Sequence, residues 1–310
     1  MSQDYFFCSE QSRLLGEKSF GTASTGDVWL LLEYPFWWGS RALQDSHLPP
    51  RVKRYLNNFT RTVPRSRVLF IKQDRARTSS ERTVFLVRAR EHNPSILQFK
   101  IGSYEQLIEL DPAKLAKVEA RGRGLTFDGP LYLVCTHGKR DKCCAKFGYP
   151  LYKSLKQMHA SVWQSSHVGG DRFAANLVCF PHGLFYAHVT EASSRAILEE
   201  YGRRRLVLEK YRGRACYSYP VQAAEFFIRS ESGVAELDGL RRVGCERLDE
   251  NSWRVKFVAP AAGMIHEAKV VRTVSDFETY NTCHATERKP VTQYVLGDYS
   301  ATEEQTAPTA

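Results

Sequence analysis

The sequence predicts an α/β protein with a small α+β appendage at its C-terminal end. Two observations carry the α/β part. Short apolar runs rich in Val, Leu, Ile and aromatic residues alternate with helix signals from Val28 to Gly202. Between Gly129 and Gly202 these signals fall in the order strand, loop, helix, strand, hairpin, helix. A third observation carries the appendage. After Val221 one helix signal gives way to segments that alternate apolar and polar residues, as strands with one solvated face do.

Cys8 to Thr25 is small and polar and reads as loop plus a short helix. Val28–Glu33 is a buried strand, followed by the aromatic loop Tyr34–Gly39. Ser40 is placed to cap a helix beginning Arg41-Ala-Leu, and a further helix is expected over 51–60 after Pro49-Pro50. Arg67–Ile71 and Thr83–Val87 read as strands around a polar turn, with Ser95–Ile101 as a third. Ser103 opens a helix signal, and Asp111-Pro112 caps another over Ala113–Glu119, because proline suits a first helical turn.

The same pattern then recurs. Gly129–Val134 is a strand, a loop runs from Cys135 to Cys144, and a helix is expected over Pro150–His159. Ser161–Ser166 is a strand, and Phe173–Phe180 with Leu184–Val189 forms a hairpin about Pro181-His182-Gly183. Thr190 is placed to N-cap a helix from Glu191 to Gly202. This order is thioredoxin-like, and its first half suggests a degenerate earlier copy. The expected units are an N-terminal α/β half (1–125), a thioredoxin-like half (126–220), the appendage (221–300) and a disordered tail (301–310). Within the appendage, Val221–Arg229 reads as a helix and Ser252–Val258 and Ile265–Val274 as strands.

Composition narrows the function classes. A chain of 310 residues with 25% charged and 43% hydrophobic content is ordinary for a globular protein. No apolar run approaches the roughly 20 residues that span a bilayer. The start lacks the basic and apolar regions of a signal peptide. Eight cysteines, two of them vicinal, do not form a disulfide framework in a chain this long, so a reducing cytoplasm is expected. The net charge is +10. Residues 51–90 hold twelve Lys and Arg against Asp74 and Glu81, and a second basic cluster spans 203–214. Solvated basic faces explain these segments, and docking of an acidic redox partner is the functional alternative. No nucleic-acid-binding motif accompanies the charge.

The chemistry concentrates between Val134 and His188. Cys135, Cys143, Cys144 and Cys179 lie there, with His137, His159, His167, His182 and His188. Thiolates and imidazoles gathered in this way suit a metal ion or an iron–sulfur cluster. Cys135 ends an apolar strand, Cys144 follows nine residues later, and His167 precedes Gly169-Gly170, where the backbone can turn tightly. His137 is expected to support the loop by a hydrogen bond, with Arg140 and Asp141 pairing locally. Cys8 reads as a buried small side chain, Cys179 as core and His182 as an exposed turn residue. Cys216, Cys245 and Cys283 share no informative spacing.

The segments C-S-E-Q-S-R-L-L-G-E-K-S-F-G-T-A, C-T-H-G-K-R-D-K-C-C and S-H-V-G-G-D-R-F-A-A-N resemble the sucrase/ferredoxin-like family, which carries a thioredoxin-like ferredoxin domain. The resemblance covers most of residues 8–229. It implies a [2Fe-2S] cluster held by two cysteines nine apart and by a His-x-x-x-His pair. Transferred position by position, the ligands are Cys135, Cys144, His167 and residue 171, which is Asp171 here rather than histidine. A carboxylate is a harder donor than imidazole. Asp171 is therefore an unusual fourth ligand, or Cys143 or His182 replaces it, or the fold is kept without the cluster and Asp171 pairs with Arg172. The resemblance implies an electron carrier rather than an enzyme. A zinc- or thiol-based redox protein on the same fold and a cluster-free interaction protein are the alternatives. No paired carboxylates support a sucrase activity.

Overall fold

The computed structural model describes residues 6–74, 80–112 and 126–304. Two sheets organise them. The larger has nine strands in the order β4-β3-β1-β2-β6-β5-β7-β8-β9. Its strands are β1 (Val28–Glu33), β2 (Ser66–Lys72), β3 (Arg82–Arg88), β4 (Ser95–Ile101), β5 (Leu131–Cys135), β6 (Val162–Ser165), β7 (Leu177–Phe180), β8 (Leu184–Tyr186) and β9 (Tyr211–Arg214).

The first eight strands form two halves of identical plan. In one, β1 is parallel to β2 and antiparallel to β3, which pairs antiparallel with β4. In the other, β5 is parallel to β6 and antiparallel to β7, which pairs antiparallel with β8. A helix joins the parallel strands in each half: α2 (Pro50–Thr62) between β1 and β2, and α4 (Lys142–Met158) between β5 and β6. Each half closes with a helix, α3 (Gln106–Leu110) after β4 and α5 (Glu191–Gly202) after β8. The halves meet edge to edge, where Ile71 and Lys72 of β2 pair antiparallel with Ser165 and Gln164 of β6.

The strands are buried on both faces. Trp29 and Leu31 of β1 face one hydrophobic cluster with Leu131, Leu133 and Cys135, while Leu30 and Leu32 face another beneath α2. This alternation is what a pleated strand imposes, and a centrally placed strand therefore needs a continuous apolar run. The helix α6 (Tyr219–Ser232) packs on the second sheet, of four strands in the order β10-β11-β12-β13. These are β10 (Arg241–Arg247), β11 (Ser252–Ala259), β12 (Met264–Thr279) and β13 (Lys289–Glu303). No described helix is long and apolar enough to cross a membrane.

Several expected boundaries move. The helix after the cysteine loop begins at Lys142, not Pro150. Asp141 caps it by accepting a hydrogen bond from the Cys143 amide at 2.9 Å, and Pro150 sits inside the helix, where only one backbone bond is forfeited. Arg41–Leu43 forms turns rather than a helix, with Asp45 accepting from the Arg41 amide. Phe173 belongs to a short 3-10 turn, Asp171–Phe173, so the hairpin's first strand is shorter than expected. Ala301–Glu303 are not a tail: they pair with His266, Ile265 and Met264 at the end of β13. The helix expected over Ala113–Glu119 lies outside the described residues.

Candidate metal centre

The site forms at the carboxyl ends of β5 and β6, where strands give way to loops. Cys135 is the last residue of β5 and is buried. Cys144 lies in the first turn of α4, which packs so closely on β5 that the Gly148 Cα faces the Cys135 carbonyl. His167 follows β6. The donor atoms of Cys135, Cys144 and His167 all lie within 4.8 Å of one another. Asp171 Oδ1 joins them, 3.3 Å from Cys144 Sγ and 2.9 Å from His167 Nδ1. The expected set therefore converges, although its members come from three segments.

The loop that carries His167 and Asp171 is held from several sides. His137 Nε2 donates to the Gly39 carbonyl at 2.7 Å and its Nδ1 accepts the His167 amide at 3.2 Å, which fixes a neutral ring in one tautomer. Burial keeps His137 below its ordinary pKa and so preserves that acceptor. Gly169 and Gly170 have φ of +93° and +79°, and a Cβ at Gly170 would meet the Arg212 guanidinium at 2.5 Å. Arg212 is fully buried and donates to the carbonyls of Gly169 and Thr22 and to the Asn176 side chain. Asn176 in turn donates to the Gly170 carbonyl at 2.8 Å.

The electrostatics favour a charged site. The Cys135 thiol is pulled well below its ordinary pKa, chiefly by its hydrogen bond with Cys144, whereas Cys144 is pushed up by the same contact. Burial alone would lower His167, but Asp171 and the Cys135 sulfur push it up to about 9. No hydrogen bond of acceptable angle satisfies the buried His167 Nδ1, even though Asp171 is close. The donor atoms of Cys135, Cys144 and His167 lie close enough together to hold a metal ion, and Asp171 flanks His167.

Other expectations change. Asp171 does not pair with Arg172, which instead bonds Glu17 at 2.6 Å. Asp141 does not pair with Arg140; it caps α4 and accepts the Cys283 amide at 2.7 Å. Cys143 points away from Cys135 because adjacent helical residues diverge by about 100°. Its sulfur lies beside those of Cys8 and Cys283. Cys8, Asp141 and Cys283 were not legible as a group, since the contacts span up to 275 residues. Cys179 is in the core, as expected of a strand residue.

The second basic cluster divides between buried and exposed, ion-paired arginines. Arg212 and Arg214 are buried, Arg203 and Arg205 pair with Glu200, Arg205 also with Glu236, and Arg204 with Asp238.

His182 is buried, not exposed, because the hairpin turn tucks under α5. Its Nδ1 hydrogen-bonds the Tyr201 hydroxyl at 2.6 Å, and His182 is not among the donors gathered with Cys135, Cys144 and His167. Burial, with Arg214 and Arg204 nearby, lowers its pKa from 6.5 to about 4. The folded state thus favours the neutral ring. Its stabilisation is complete above the unfolded pKa near 6.5 and is lost as pH falls through about 4. The full linkage amounts to about 3 kcal/mol. Urea unfolding of His182→Gln should therefore lose less stability between neutral and acidic pH than wild type. Parallel pH profiles would contradict this account of His182.

Comparisons with known proteins agree with the sequence motifs. A family model of sucrase/ferredoxin-like proteins matches residues 19–213. Over 95 residues the chain is 30% identical to altered inheritance of mitochondria protein 32 of Meyerozyma guilliermondii, which covers 27% of this chain and 34% of that protein. The chain thus matches only about a third of that relative's length. No solved structure matches the chain. The matched segment contains Cys135, Cys144, His167 and Asp171 and spans the nine-stranded sheet from β1 almost to its end, and the chain belongs to the sucrase/ferredoxin-like family.

Proposed function

We propose that this protein is an electron carrier whose [2Fe-2S] cluster is held by Cys135, Cys144, His167 and Asp171. The single observation that carries the reading is the convergence of these four donors, with the His167 Nδ1 otherwise unsatisfied. Family membership supports it. So does the repeated strand-helix-strand-strand-strand-helix order of the two halves, which is that of a thioredoxin-like unit. The donor set fits the group: two thiolates, an imidazole and a carboxylate offer four ligands for two irons. When bound, the cluster supplies a one-electron couple. The chain's own residues set its surroundings. His137 fixes the His167 backbone, Arg212 holds the glycine turn, and Asp171 contributes a negative charge where imidazole would be neutral.

One observation favours a second reading, a mononuclear zinc ion in the same place. Three donors within 4.8 Å of one another suit a single tetrahedral ion, whereas two irons need the donors to part into pairs.

Asp171 separates the possibilities. In the cluster-bearing protein, Asp171→His is expected to raise the midpoint potential, because a neutral, softer donor replaces a carboxylate. Asp171→Ala is expected to leave an open position and a labile cluster. Paramagnetic resonance and redox titration check both. Unchanged g-values and potential in both variants would remove Asp171 from the ligand set.

A further inference from the structure

We infer that Cys8, Cys143 and Cys283, with the carboxylate of Asp141, form a second and separate metal site that takes a zinc-type divalent cation. The three sulfurs make a closed triangle. Cys8 lies 3.6 Å from Cys143, Cys143 lies 3.2 Å from Cys283, and Cys283 lies 3.5 Å from Cys8. Both oxygens of Asp141 lie 3.8 Å from the Cys8 sulfur. Tetrahedral bonds from zinc to sulfur of about 2.3 Å place the sulfurs about 3.8 Å apart, so the edges of the triangle need to open by about 0.2–0.6 Å. A disulfide requires an S–S distance of about 2.05 Å and would leave the third sulfur unused.

The surroundings are built for sulfur anions. The Cys8 amide donates to Cys283 Sγ at 3.5 Å, and the Ser9 amide donates to Cys143 Sγ at 3.4 Å. Amide hydrogen bonds to metal-bound thiolates orient and stabilise them, as outer partners do at other metal sites. Asp141 accepts from the amides of Cys143 and Cys283, one on each oxygen, and each oxygen keeps a lone pair for a cation. Cys143 and Asp141 sit at the start of the 17-residue helix α4, whose positive end favours accumulated negative charge. Cys8, Cys143 and Asp141 are fully buried and Cys283 nearly so, which is the closed shell of a structural ion rather than the open one of a catalytic ion.

The three cysteines also come from parts of the chain far apart in sequence. Cys8 begins α1 (Cys8–Leu14), Cys143 opens α4, and Cys283 lies in the link between β12 and β13. Cys8 and Cys283 both lie outside the segment matched by the family model. A cation here would fasten the N-terminal helix and the appendage to the same helix that carries Cys144. Binding releases the proton of each thiol that becomes a ligand.

The test uses the full chain with Cys135→Ser, which disables the other centre, stripped of metal under reducing conditions and titrated with Co2+ and then Zn2+. The expected result is one ion per chain with strong thiolate-to-cobalt charge-transfer absorption, displaced by zinc. Adding Cys283→Ser should abolish that absorption. Asp141→Asn keeps a good helix cap and should weaken binding by about 10–100-fold. Because Asp141→Asn retains the cap, its result does not depend on whether Cys283→Ser folds. Absence of the charge-transfer bands in the reduced Cys135→Ser chain would overturn the inference. So would a disulfide among Cys8, Cys143 and Cys283 in protein kept in reducing buffer. A chain with Cys135 intact that takes up no iron after anaerobic reconstitution, yet keeps this cobalt site, would count against the electron-carrier reading alone.

Discussion

Gly148→Ala should cost at least about 3 kcal/mol and empty the site, because there is no room for the added methyl group. Its Cβ would stand 2.0 Å from the Cys135 carbonyl oxygen and 3.1 Å from the carbonyl carbon. Both are backbone atoms of β5, so no rotamer change relieves the clash. Either α4 moves away from the sheet or β5 does, and in both cases Cys144 separates from Cys135. Alanine favours a helix by about 1 kcal/mol over glycine, which makes a net loss all the more diagnostic of the contact. Urea unfolding and metal content should fall together. A variant as stable as wild type would show that α4 and β5 are not so closely packed.

Glu225→Ala should cost about 3–5 kcal/mol, because it strands two buried cations. Glu225 Oε1 accepts from Arg214 at 3.4 Å and from Arg229 Nε and Nη2 at 3.2 Å, while Oε2 accepts from the Tyr211 hydroxyl at 2.7 Å. All four side chains are buried. The cluster joins β9, the last strand of the large sheet, to α6, which carries the appendage. Breaking one member of a buried ion cluster leaves uncompensated charge, which costs more than the intact cluster contributes. Equilibrium unfolding measures the loss, and a change below about 1 kcal/mol would mean that water reaches both arginines.

What the sequence disclosed depended on how local each signal was. The helix Glu191–Gly202 matched its expectation because its cap is local: Thr190 and Ser193 satisfy each other's amides in a capping box. Helix α4 began earlier than expected because Pro150 resembles a first-turn proline, while the true start depends on Asp141. Strand β10 went unseen because nearly all of it is exposed, so no burial pattern marks Arg241–Arg247. The candidate site was legible because Cys135, Cys144, His167 and Asp171 fall within two short motifs. The cluster of Cys8, Cys143 and Cys283 was not, because only the fold brings those segments together. His182 was misjudged for a similar reason: its partner Tyr201 belongs to a helix that covers the turn.

The central claim is that Cys135, Cys144, His167 and Asp171 hold a cluster of iron and sulfide. It is tested most directly by measuring iron, acid-labile sulfide and zinc in the full chain purified without oxygen, beside Cys135→Ser. The account predicts iron and sulfide in equal amounts, about two of each per chain, with visible absorption that bleaches on reduction and is lost in Cys135→Ser. Zinc bound without iron, or a chain free of iron after anaerobic reconstitution, would contradict it.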